Sequence, residues 1–260
     1  MHNTIDLNHD VKRIIVSFDA GGFSPSTMET AVLLASRLQA DLCGLFVEDT
    51  ELLQLANLPF TREITLNTAL SRDLNSISIE RNLNALATRM RHSLEEMANI
   101  SNVVCSFRTV RGPGLESVIN ESEEFQLVLL MPKKRLTETW RHIATPVNNH
   151  PIVLFYDGSV SAHRALKVIK SISGDAKMKH LLVLTTHQSA EVEVLEQLPL
   201  SQYSIKFHYV PDYNVTDIAA LLKMQSAGLV ILPLEAILLK QAREVTMLQD
   251  VLSCPLILVR

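Results

Sequence analysis

The stretch Pro151–Ile172, PIVLFYDGSVSAHRALKVIKSI, decides the fold. Its apolar run Ile152–Tyr156 stops at Asp157-Gly158-Ser159, and apolar residues then recur at Ala162, Ala165, Leu166, Ile169 and Ile172. A short run of that kind, a turn tripeptide and a helical period predict a strand, a tight turn and an amphipathic helix. The same order occurs near the start: Arg13–Phe18, then Asp19-Ala20-Gly21-Gly22, then Met28, Ala31, Val32, Ala35 and Leu38 on one helical face. One structural unit is written twice, and such a repeat sets the architecture of the rest.

Working outward, each opening is followed by strands alternating with helices. In the first half the spacing predicts a helix over about 26–39, with Ser24 or Ser26 as N-cap and Glu29 completing a capping box after Ser26. Strands follow at Asp41–Val47, Val103–Val110 and Gln126–Met131, with a long helix over Thr68–Asn99 whose Leu83, Leu86, Met90, Leu94 and Met97 recur in steps of three and four. Pro113 suits the first turn of the helix that follows Arg111-Gly112-Pro113-Gly114. The second half predicts strands at 152–156, 180–185, 203–210, 228–232 and 255–259, with helices over 160–172, 189–198, 214–226 and 236–250. Near-continuous apolar strands are those of a parallel sheet covered on both faces. The expected class is therefore α/β, with two tandem doubly wound parallel-sheet domains at 11–150 and 151–260. The first half lacks its own clear fifth strand: after Met131 the chain runs through PKKRLTETWRHIATPVNNH straight into the second half. An insertion at about 48–66 carries Leu52, Leu53, Leu55, Leu58, Phe60 and Ile64. That is too much apolar surface for solvent, so it reads as an extra helical turn on the body, or as a lid or dimer contact.

Composition narrows the function. Of 260 residues 47% are hydrophobic and 20% charged, which is globular, and the formal net charge of −4 argues against non-specific nucleic-acid binding. The three cysteines, Cys43, Cys105 and Cys254, lie far apart and form no metal or disulfide pattern, which fits a reducing compartment. The opening MHNTIDLNHD has neither a basic start nor an apolar core, and no segment approaches the roughly 20 apolar residues of a membrane span. A cytoplasmic protein is expected, without membrane insertion.

With these residues in place, each half resembles a universal stress protein domain, and the whole chain resembles a tandem universal stress protein, an adenine nucleotide alpha hydrolase-like fold. The resemblance rests on the two Asp-small-small turns, the strand Leu42–Asp49 (LCGLFVED), the turn Val110–Gly114 and the closing Cys254–Val259. It implies a strand order of 3-2-1-4-5 in each half, with any ligand above the carboxyl ends of strands 1 and 4. Many members of that family bind ATP there through a G-x2-G-x9-G-[ST] stretch after strand 4. This chain departs from the pattern in both halves. No glycine occurs between Gly228 and Arg260, Ala242-Arg243-Glu244 stands where the Gly-Ser pair belongs, and MPKKRLTETWRHIATP in the first half has none either. Side chains on those Cα atoms obstruct the close backbone approach of a phosphate cradle.

The candidate ligand-binding residues are therefore Asp19, Gly21, Gly22, Lys133, Lys134 and Arg135 in the first half, and Asp157, Gly158 and Ser159 in the second. The competing reading makes Asp19 and Asp157 turn formers and Lys133–Arg135 a solvated charge run. His142, His150, His163, His180, His187 and His208 show no metal-ligand spacing and read as surface or strand-end residues. Neither a G-x-S-x-G elbow nor a dinucleotide fingerprint occurs, and the cysteines lie in or beside core strands, so no catalytic residue is assigned. The expectation is a non-catalytic universal-stress-type protein, with no cofactor, that acts through protein contacts or a small ligand and forms a homodimer or binds a protein partner. The alternative is a nucleotide switch or weak ATPase that takes ATP or AMP in a rearranged first-half site.

Overall fold

The fold was read from a computed structural model, which describes residues 11–21, 25–58, 61–64, 71–73, 76–132, 150–173, 179–187, 189–198, 201–210, 215–234 and 242–260. The first half runs β1 (Arg13–Phe18), α1 (Pro25–Leu38), β2 (Asp41–Asp49), α2 (Thr50–Ala56), β3 (Arg62–Ile64), β4 (Ser71–Asp73), α3 (Ser76–Ile100), β5 (Cys105–Gly112), α4 (Gly114–Glu121) and β6 (Leu127–Leu130). The second runs β7 (Ile152–Tyr156), α5 (Val160–Ser173), β8 (Lys179–Thr185), α6 (Ala190–Gln197), β9 (Tyr203–Tyr209), α7 (Val215–Met224), β10 (Leu229–Pro233), α8 (Ala242–Val251) and β11 (Leu256–Val259).

Among the described residues nine strands form one sheet in the order β5-β2-β1-β6-β11-β10-β7-β8-β9. Each half is doubly wound, and within this nine-stranded sheet all pairs are parallel except β6 with β11, which run antiparallel with Leu256 opposite Leu130 and Val259 opposite Leu127. The strand missing from the first half is thus replaced at its edge by the last strand of the second. In this single sheet the terminal strand is not an open pairing edge. Strand β11 is hydrogen-bonded to β10 on one side and to β6 on the other. It has no free edge to offer.

Helices cover both faces, as fully buried strands require. On one face α1, α3, α5 and α6 bury Met28, Ala35, Met90, Leu94, Ala165, Ile169 and Val194. On the other, α4, α7 and α8 bury Val118, Ile218, Leu222, Val245 and Leu248. The halves are joined by more than β11. Gln126, whose side-chain oxygen accepts the Lys12 and Arg13 amides of its own half at 3.1 and 2.9 Å, also accepts the Arg260 amide of the second half on its carbonyl at 3.0 Å. The Arg37 guanidinium on α1 donates to the Ile172 carbonyl on α5.

Three local expectations are corrected. The long helix begins at Ser76, not Thr68, because Ser71–Asp73 pairs antiparallel with Arg62–Ile64. Pro113 is the N-cap of α4, and the helix starts one residue later at Gly114. Ser26 lies inside α1, which starts at Pro25, and Ser24 is outside the described residues, as are Trp140 and most of the 132–150 connector. The insertion does form a helix, α2, capped by the Asp49 carboxylate on the Glu51 amide at 2.8 Å, and it buries Leu53 and Ala56. Among the described residues no helix is long and apolar enough to cross a membrane.

Candidate functional site

In a doubly wound sheet the crevice opens at the carboxyl ends of the strands, where neighbouring crossovers leave to opposite faces. Here that point falls between β1 and β6 in the first half and between β7 and β10 in the second. Because β6 and β11 are antiparallel, the two crevices open at opposite ends of the shared sheet.

At the first crevice, the Asp19 Oδ1 accepts the Gly21 amide at 2.8 Å in an exposed turn. Gly22 and Lys133, Lys134 and Arg135 lie outside the described residues, so the expected cationic run cannot be placed against Asp19. The Met131 carbonyl, one residue past β6, accepts the Gln249 side-chain amide at 2.7 Å. A second-half helix therefore reaches the end of the first half's fourth strand. Farther along the same edge, Glu48 at the end of β2 is buried and pairs with Arg111 at the end of β5. Arg111 Nε lies 3.1 Å and a terminal nitrogen 3.0 Å from Glu48 Oε2, and the same terminal nitrogen lies 3.3 Å from Glu80 of α3. The hydrogen bond to Glu48 raises the guanidinium pKa further above its usual value.

At the second crevice, the Asp157 Oδ1 accepts the Ser159 amide at 3.0 Å, and Ser159 Oγ accepts the Ala162 amide at 3.1 Å. Ser159 is thus a side-chain N-cap for α5. Gly158 sits at φ +75°, a left-handed conformation that only glycine adopts without strain. Both Asp-turns close on their own amides, the turn-former arrangement that competed with a ligand role.

Behind the second turn lies a cluster that sequence reasoning missed. The Tyr156 hydroxyl, fully buried at the end of β7, lies 2.7 Å from Glu193 Oε2 on α6 and 3.1 Å from His163 Nε2 on α5. His163 Nδ1 lies 2.9 Å from the Ser159 carbonyl oxygen. Burial, then the hydrogen bond to Glu193, push the phenol well above the ordinary tyrosine range. His163 is therefore a half-buried network member on a helix, not a surface or strand-end residue. Its position four residues after the Ser159 cap was a usable signal, since one helical turn brings it back over the cap. Glu193 gave none, because only the tertiary fold brings α6 to β7.

Glu244 stands in the first turn of α8, the helix whose start follows β10. A carboxylate there occupies the helix end that favours an anion. Among the described residues this carboxylate and the two self-satisfied Asp-turns are the features that bear on anion binding. Among the described residues no group of three or more His, Cys, Asp or Glu side chains is arranged to hold a metal ion.

No protein-family model matches the chain, and no curated protein matches it in sequence. Among solved structures, the fold is similar to that of a universal stress protein from Archaeoglobus fulgidus, with a TM-score of 0.52 at 11% identity over 95% of this chain and 96% of that one. A functionally unknown protein from Pseudomonas aeruginosa aligns with a TM-score of 0.45 at 16% identity, over 96% of this chain and 92% of that one. The chain thus has the universal-stress-protein type of α/β fold.

Proposed function

We propose that this chain is a non-catalytic, cytoplasmic universal-stress-type protein that acts in stress response or regulation through protein contacts or a small ligand, not through ATP turnover. The observation that carries this reading is the internal satisfaction of both candidate turns: Asp19 on the Gly21 amide and Asp157 on the Ser159 amide. The absence of glycine between Gly228 and Arg260 supports it, as does Glu244 at the start of α8. Isothermal titration of ATP and AMP, with nucleotide release on denaturing freshly purified protein, tests it. The expected result is no heat of binding and a nucleotide-free supernatant. Tight binding abolished by Asp19→Ala would overturn it in favour of a nucleotide switch.

Self-association through the segment after β2 belongs to the same reading, supported by Leu55 and Leu58, which are exposed beside the buried Leu53. The expected outcome in sedimentation is a mass that rises with concentration and falls back when Leu55 and Leu58 are replaced by Ser. A concentration-independent monomer mass would remove this part.

A further inference from the structure

The cluster at the end of β7 carries a hydrogen-bonded chain whose protons do not balance in the ordinary states of its members. A carbonyl only accepts, so His163 Nδ1, at 2.9 Å from the Ser159 oxygen, carries a hydrogen. If the imidazole is neutral, Nε2 is then a bare acceptor. Nε2 lies 3.1 Å from the Tyr156 oxygen, which lies 2.7 Å from Glu193 Oε2, and the phenol has one hydrogen to give. With an ionised Glu193, two acceptors compete for that hydrogen and one close contact is left unbonded.

One added proton completes the chain in either of two ways. Held on Nε2, it is donated to the phenol oxygen, and the phenol donates to the carboxylate. Held on Glu193, it is donated to the phenol oxygen, and the phenol donates to Nε2. The proton belongs to the coupled group, not to one residue. We propose that Tyr156, His163 and Glu193 form a proton-gated latch that holds the first turns of α5 and α6 against the end of β7. When the shared proton is lost, the phenol hydrogen stays with the Glu193 carboxylate at 2.7 Å and His163 on α5 is released.

The setting suits such a device. Tyr156 is buried, so an unmade bond there is not repaired by water, whereas the His163 and Glu193 side chains are 27% and 40% exposed and can exchange protons with solvent. The buried phenol keeps its own hydrogen and serves as the relay. Charged and titratable groups near the cluster include Glu193 from α6, Asp157 just after β7, which acts on Tyr156, and Lys167 one helical turn beyond His163 on α5, while His187 lies on the connection from β8 to α6. Helix α1 meets α5 at its other end, through Arg37 and the Ile172 carbonyl. The closed latch binds one proton more than the open one, so it is favoured at low pH and weakened as pH rises.

Hydrogen exchange of the α5 amides, corrected for intrinsic rate, tests this between about pH 5.5 and about pH 8. In the full-length protein, protection is expected to fall by at least about tenfold across that range, the cost of one buried charge-assisted bond. Glu193→Gln is the decisive variant. Its amide can donate to the phenol while the phenol donates to a neutral imidazole, so protection should persist at both pH values. Tyr156→Phe removes the relay and should show low protection at both. Flat wild-type protection would overturn the latch, as would a wild-type pH dependence retained in either variant.

Discussion

Gly158 shows what a single residue contributes to this molecule. At φ +75° it turns the chain from β7 into α5 so that Asp157 meets the Ser159 amide, and an alanine at that φ is strained even though space is open around the site. Gly158→Ala should cost about 1–2 kcal/mol, read as a lower urea midpoint with an unchanged slope. Cys254 makes the opposite point, that a residue can matter by being inert. Burial pushes its thiol up to about 12, and the half-buried Cys105 is pushed up to about 11, chiefly by burial. An unfolded thiol ionises near its ordinary value of 9.0, so above that pH the unfolded chain binds fewer protons than the folded one. Stability should therefore hold up to about pH 9 and decline as pH rises further. Cys254→Ala should reduce the slope of that decline in alkaline urea titrations, and an unaltered slope would remove Cys254 as its source.

Elements are held at fixed spacing by similar economies of size. Gly44 on β2 lies where an added Cβ would come within 2.6 Å of Phe107 on β5 and 2.7 Å of Leu94 on α3. Gly44→Ala should force α3 outward and cost about 1–3 kcal/mol of overpacking, visible as a lower Tm. A variant as stable as the native chain would show that Phe107 and Leu94 repack freely. At the rims of the sheet, β5 exposes Arg108 and Arg111 and β9 exposes Lys206. Cations on edge strands discourage pairing with another chain. Any self-association is thus better sought at the segment after β2 than at the sheet edges.

At the scale of the whole molecule the decisive feature is the antiparallel seam of β6 and β11. It makes the closing strand of the second half part of the first half's core, with Ile257 and Leu258 both buried. The halves should therefore unfold together. Ile257→Asp, which places a charge in that seam, should reduce hydrogen-exchange protection in β1 and β6 as well as in β10. Loss confined to β10 and its second-half neighbours would show two independent units.

The repeat, the alternation of strands with helices and the shortage of a fifth strand in the first half were all legible in the sequence, because each depends on local period and turn chemistry. Arg13–Phe18 and Ile152–Tyr156 were located to the residue for that reason. The Asp-turns were legible as turns. What filled the vacant edge was not legible, since pairing Leu256 with Leu130 joins residues far apart in the chain and no local pattern encodes it. The same holds for Gln249 on the Met131 carbonyl and for Glu193 beside Tyr156 and His163. Period and turns are set by neighbours along the chain, whereas the seam and the polar cluster are set by which buried groups the finished sheet leaves in need of a partner.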